Sequence, residues 1–216
     1  MNRILVNITL ILLFSSATVM SAVPDTSYKT MKDTVLFKNR LKAYTSDLAT
    51  IECDFVQQKY MSILTEPVAS NGYFCYKNGV MIRWEYTEPF NYLIIINNGR
   101  MFIKDDEKKN SFDLTASESF NKLNAILAKI LKGNVLDDKK DFSCNYYENE
   151  LNYKLVLKPK AKDIKVFFKE IVLFFEKKFF SVARVQLNEV SGDKTDIFFN
   201  NRKINGEIPD EKFILK

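Results

Sequence analysis

The chain has 216 residues, 32 Lys and Arg against 27 Asp and Glu, and a formal net charge of +5. Histidine is absent, which excludes Ser-His-Asp and Cys-His catalysis and the usual zinc and iron ligand sets. The lysines are interspersed with acids, as on a solvated surface rather than a nucleic-acid stripe.

The chemistry-bearing motifs are few. Cys53, Cys75 and Cys144 stand too far apart for a zinc ribbon or a thioredoxin-type pair. Neither a Gly-rich dinucleotide loop nor a P-loop occurs. The acidic runs Asp105-Asp106-Glu107 and Asp137-Asp138 lie beside lysines and read as solvated turns. No catalytic residue, metal or cofactor is indicated, and the reading is a binding protein rather than an enzyme.

In chain order, Arg3 precedes the apolar stretch 4–14, and the small residues Ser15, Ser16, Ala17, Ser21 and Ala22 follow. That is the pattern of a secretory signal, too short for a transmembrane span, with cleavage after Ser21 or Ala22. Residues 1–22 are therefore read as a signal peptide and 23–216 as a single domain without linker-like stretches. The first cysteine is Cys53, so a lipid anchor at a mature N-terminus is not expected. Residues 26–43 read as a helix with Met31, Val35, Leu36 and Leu41 as its apolar stripe. From 48 to 59 the pattern alternates, which puts Ile51, Cys53 and Phe55 on one face.

Strands recur over 68–77, 80–87, 91–97 and 100–105. Asn78-Gly79 suits a two-residue type I′ turn. Such a turn sets Cys75 opposite Ile82 and Tyr73 opposite Trp84. It gathers Tyr73, Cys75, Ile82, Trp84 and Tyr86 on one apolar face, with Arg83 and Glu85 making contacts on the other. Cys53 and Cys75 then both face inward, compatible with a disulfide or with two buried free thiols.

Thr115-x-x-Glu118 is a capping box opening a second helix, in which Leu123, Ile126, Leu127, Ile130 and Leu131 recur at helical spacing before Gly133. Alternation returns over 141–147, 151–158, 166–176, 179–189 and 194–200. Phe142, Cys144 and Tyr146 line one face; Tyr153, Leu155 and Leu157 line another. Residues 167–175 are apolar on both faces, as in a strand covered on both sides. The fold class is mainly β (α+β): one strongly curved antiparallel sheet with two or three helices across its opening. With 18 Phe and 10 Tyr, its interior is either a filled core or a lipid-holding wall, and periodicity alone does not separate the two.

The order Gly72-x-Phe74, a turn, Arg83-Trp84-Glu85-Tyr86-x-x-Pro89, an aliphatic strand and Asn98-Gly99 resembles the LolA family of periplasmic lipoprotein carriers. Phe55-x-Gln57-x-Lys59 upstream, the run Gly192 to Phe199, and Asn205, Ile208, Pro209 and Phe213 downstream extend the resemblance over residues 45–216. It implies an unclosed half-barrel under a helical lid and a soluble, monomeric periplasmic carrier of lipoprotein acyl chains. Its partners would be an inner-membrane ABC-type lipoprotein-releasing complex and an outer-membrane acceptor. Phe55, Tyr73, Ile82, Trp84, Tyr86, Tyr153 and Leu155 would form the cavity wall. Leu123, Ile126, Leu127 and Ile130 would form the lid's inner stripe. One departure stands out: well-studied members carry Arg-Pro in the hairpin turn, where the arginine is implicated in holding the lid, and this chain has Asn78-Gly79. That leaves open a carrier of another amphiphile, such as a glycolipid or polyene lipid, and a non-transporting envelope sensor or adaptor of the same fold.

Overall fold

Each alternating segment becomes a strand because its neighbours supply the hydrogen bonds it lacks and cover its apolar side. A computed structural model of the chain describes residues 28–78, 81–105, 108–113, 136 and 140–215. The first group of strands is β1 (Lys29–Thr30), β2 (Thr50–Tyr60), β3 (Val68–Lys77), β4 (Met81–Glu88), β5 (Tyr92–Asn97), β6 (Arg100–Asp105) and β7 (Lys108–Asp113). The second is β8 (Phe142–Glu148), β9 (Asn152–Pro159), β10 (Phe168–Glu176), β11 (Ser181–Glu189) and β12 (Lys194–Ile204). All twelve join one antiparallel sheet in the order β1-β8-β9-β10-β11-β12-β2-β3-β4-β5-β6-β7. No pairing joins β1 to β7, so the sheet is open.

The expected strands are present, but the β3–β4 register is not the expected one. Lys77 pairs with Met81, Tyr76 with Ile82, Phe74 with Trp84 and Tyr73 with Glu85. Three residues, 78–80, therefore separate the paired positions instead of two. A one-residue slip moves every side chain of a strand to the opposite face. Phe74 and Tyr76 share the inner face with Ile82, Trp84 and Tyr86, while Tyr73 and Cys75 lie on the outer face with Arg83 and Glu85. The same register corrects the cysteines. Cys53 pairs with Phe74 and Cys75 with Glu52, so the two thiols point to opposite sides of the sheet, and both are free.

The N-terminal helix also differs. α1 spans Thr34–Ser46, beginning where the Asp33 carboxylate accepts a hydrogen bond from the Leu36 amide at 2.8 Å. The residues expected to precede it in the helix instead include the strand β1. Phe37 and Leu41, four apart, form its buried face, whereas Val35 and Leu36 are 66% and 53% exposed. A one-turn helix, α2 (Lys162–Lys165), and a 3-10 turn at Asp210–Phe213 complete the described helical elements. The expected helix bearing Leu123, Ile126, Leu127, Ile130 and Leu131 lies outside the described residues, as does the leader.

Both faces of the sheet are covered in part. On the outer face the C-terminal segment lays Ile208 and Phe213 over Cys75 and Ile95, all buried. Asn205 fixes the start of that segment: its carbonyl accepts from the Ala49 amide and its amide donates to the Asp47 carbonyl, each at 2.8 Å. Further along the outer face, Asp196 is buried and takes two bonds from Arg184, at 3.0 and 2.8 Å. The Arg184 guanidinium also stacks over the Phe174 and Phe198 rings. That cover explains why β10 is apolar on both sides.

Candidate functional site: an apolar cavity on the inner face

Sheet register sets up the site by aligning one row of inner-face residues across β10, β11, β12 and β2. Ile171 faces Leu187, Leu187 faces Thr195, and Thr195 faces Lys59; one step on, Val185 faces Ile197 and Ile197 faces Gln57. Above these strands and β3–β4 the sheet leaves a cavity of about 470 Å³. Its β2–β4 wall includes Cys53, Phe74, Ile82, Trp84 and Tyr86; its β10–β12 wall includes Phe168, Ile171, Val185, Leu187, Ile197 and Phe199. Leu41 and Tyr44 of α1 close one side.

Aromatic packing holds the β2–β4 wall. The Phe55 ring lies 4.9 Å from Trp84 and 5.1 Å from Tyr86, centroid to centroid. It fits because the residue opposite it is Gly72: a Cβ there would stand 2.1 Å from the Glu85 carbonyl oxygen and 2.5 Å from the Phe55 ring. Gly72 thus lets an aromatic ring lie flat on the sheet and buttress Trp84 from beneath. This accounts physically for the glycine of the Gly72-x-Phe74 signature.

Polar groups in the cavity are few and mostly at its ends. At the end formed by the start of β12, the Lys59 ammonium pairs with Glu189 at 2.9 Å. At the other end, Arg202 pairs with Glu176. A bulge re-aims Arg202, with the β2–β12 register shifting between Asn200 and Lys203 and Asn201 at φ 51°. Between the ends, the Tyr86 hydroxyl donates to Gln57 Oε1 at 3.0 Å. The Trp84 indole N–H is buried beside that hydroxyl without hydrogen-bond geometry to any described residue. Burial raises the Tyr86 hydroxyl above its ordinary range, and the neighbouring Trp84 and Gln57 offset only part of this. Burial likewise pushes the Cys53 thiol up to about 12, so the wall carries neither a thiolate nor a phenolate at neutral pH. Among the described residues no group of three or more Asp, Glu, Cys or His is placed to hold a metal.

Of the residues expected to form the wall, Ile82, Trp84 and Tyr86 line the cavity. Phe55 supports it from below. Tyr153 and Leu155 are on the same face but under α1, with Phe37 4.8 Å from the Tyr153 ring. Tyr73 is on the opposite face, where its hydroxyl accepts from Lys212 at 3.0 Å. Arg83 and Glu85 are bound to each other along one strand rather than across strands: Arg83 Nε donates to Glu85 at 2.9 Å and Nη1 to the Lys212 carbonyl at 3.0 Å. The β10–β12 wall was missed at the sequence level. Its signal is the alternation of Val185-x-Leu187 and Ile197-x-Phe199, readable as a face but not as one that borders a cavity among the described residues.

The family described as "Outer membrane lipoprotein carrier protein LolA" matches residues 46–216. The chain belongs to the LolA family. An outer-membrane lipoprotein carrier protein of Pseudomonas putida strain GB-1 is 25% identical over 174 residues, 81% of this chain and 81% of that protein. Among solved structures, a LolA superfamily protein from Nitrosomonas europaea aligns with TM-score 0.45 and 9% identity, covering 83% of this chain and 96% of its own. The Mycobacterium tuberculosis lipoprotein LppX aligns with TM-score 0.47 and 8% identity, covering 81% and 96%.

Proposed function

We propose that the protein is a periplasmic carrier that takes lipoprotein acyl chains into the inner-face cavity and moves them from an inner-membrane releasing complex to an outer-membrane acceptor. The observation that carries this reading is an unfilled, almost wholly apolar space in a family of lipoprotein carriers. The expected leader at 1–22 would deliver it to that compartment. The expected helix with Leu123, Ile126, Leu127 and Ile130 would act as the lid that completes the half-barrel.

Energetics shape how such a carrier works. An acyl methylene taken from water gains about 0.8 kcal/mol, so two or three long chains would gain on the order of 30 kcal/mol, far beyond any reversible affinity. A carrier therefore exchanges one apolar environment for another and needs only a small preference over donor or acceptor. Aromatic walls without convergent hydrogen bonds suit that task. The bond between Tyr86 and Gln57, with the Trp84 N–H beside it, supplies a polar step between the cavity's ends, suited to an ester carbonyl at the head of a chain.

A second reading is a carrier of another amphiphile, favoured by Asn78-Gly79 standing where well-studied members of the family carry Arg-Pro. Mass spectrometry of lipid extracted from the protein isolated from the periplasm separates the two. Lipoprotein anchors support the first, single-chain or glycolipid species the second, and the absence of any hydrocarbon refutes both.

A further inference from the structure

The ends of the strands divide the loops into two sets. The β2–β3, β9–β10 and β11–β12 loops all emerge at the end where Lys59, Leu187, Phe168 and Thr195 border the cavity. Hydrogen bonds tie these loops into one rim: the Val190 amide donates to the Phe167 carbonyl at 3.0 Å, and the Ser62 amide to Asp193 Oδ1 at 3.2 Å. Apolar side chains stand out from the rim unsupported, with Ile63 85% and Val166 64% exposed, and Leu64, Phe167 and Val190 also exposed. Beside them runs Lys158-Pro-Lys160-Ala-Lys162-Asp-Ile-Lys165-Val-Phe-Phe-Lys169, whose five lysines are all exposed and whose single acid is Asp163. Buried Ile164 of α2 roots that loop in the core, so Val166 and Phe167 are held outward.

We propose that this rim docks directly on an anionic phospholipid surface, the lysines meeting headgroups while Ile63, Val166 and Phe167 enter the interface. Two features favour a membrane over a protein partner. The apolar groups are separate loop tips rather than a flat patch, and the basic run beside them supplies the long-range attraction that anionic lipid provides. The rim borders the cavity, so docking there brings hydrocarbon and cavity together without exposing the chains to water. The inference extends the carrier reading, but the docking itself does not depend on which cargo is carried.

Co-sedimentation of the mature chain with vesicles tests it. The chain should bind phosphatidylethanolamine–phosphatidylglycerol vesicles, bind phosphatidylcholine vesicles much less, and release as salt is raised. Reversing Lys162 and Lys165 together to Glu should weaken binding at least about tenfold, and Phe167→Asp should have a comparable effect. Phe179→Asp, at the opposite end beside Lys178, should change nothing. No binding to anionic vesicles, or equal loss with Phe179→Asp, overturns the proposal, as does salt-insensitive binding to both vesicle types. Uptake of a fluorescent fatty acid by Phe167→Asp should stay normal. Loss of vesicle binding with uptake retained separates docking from cargo binding, and absence of uptake in the unaltered chain refutes the carrier reading alone.

Discussion

The inner face of the sheet has two halves that differ in what covers them. Over β8–β10, Phe37 and Leu41 of α1 meet Leu155, Leu157, Leu173 and Phe175 in a continuous buried cluster. Over β2–β4, β11–β12 and the start of β10, inward residues of the same alternation face a cavity of about 470 Å³. Both halves have the same alternation and similar residues. Among the described residues, what separates them is where one short helix lies, and that depends on long-range packing rather than on the strands' own sequences. A filled core and a binding wall are therefore two occupancies of one pattern.

Substitutions should affect the two halves in opposite ways. Phe37→Ala removes the ring that contacts Tyr146, Tyr153, Phe175 and Phe180 and should cost about 3–5 kcal/mol of stability, read by denaturant unfolding, while hydrocarbon uptake at permissive temperature is retained. Gly72→Val works on the other half. Its Cβ meets backbone oxygen and the Phe55 ring, so it should cost about 1–3 kcal/mol and lower uptake by displacing Phe55 and Trp84. If Gly72→Val unfolds the chain but leaves uptake per folded molecule unchanged, Phe55 is not a support of the wall.

Much of this fold was legible in the sequence. Alternation locates β2–β6 and β8–β11 within a residue or two and the start of β12, whose end at Ile204 lies four residues past the expected one. Asn78 has the positive φ expected of a turn, but three residues rather than two separate the paired positions. Register was not legible, because Asn78-Gly79-Val80 accommodates a two- or three-residue connection and only cross-strand packing decides between them. That single residue moved Tyr73 and Cys75 to the outer face and separated Cys75 from Cys53. The helix face was likewise hidden: Val35 and Leu36 are as apolar as Phe37 and Leu41, and only the Asp33 cap and the tertiary contacts choose among them. Ile82, Trp84 and Tyr86 were identified as inward-facing; Tyr153 and Leu155 were too, but α1 covers them.

Smaller effects sharpen the same contrast. Burial raises the thiols in both halves, Cys53 to about 12 and Cys144 to about 11. Both should therefore alkylate slowly at neutral pH, followed by mass spectrometry of the iodoacetamide adduct; fast labelling of Cys53 in the folded chain would mean that its wall is wet. The smallest effect concerns acid. Glu148, at the β1–β8 edge of the filled half, is held below its ordinary 4.5, chiefly by the hydrogen bond from Lys177 and also by the Lys32 amide. A lowered folded-state pKa contributes stability that is complete above about 4.5 and is lost as pH falls through the folded value. Glu148→Gln should lower thermal stability slightly at neutrality, and its difference from the unaltered chain should vanish as pH falls through the folded value, read by thermal unfolding against pH.

Trp84 is the single tryptophan of the chain and stands in the cavity wall, so its fluorescence reports directly on whether hydrocarbon occupies the open half. Titration with a brominated fatty acid should quench Trp84 saturably in the unaltered chain and in Phe37→Ala. It should quench little in Leu187→Glu, which places a charge on the opposite wall. Saturable quenching that survives Leu187→Glu unchanged, or no quenching in the unaltered chain, would contradict the assignment of this cavity as the acyl-chain site.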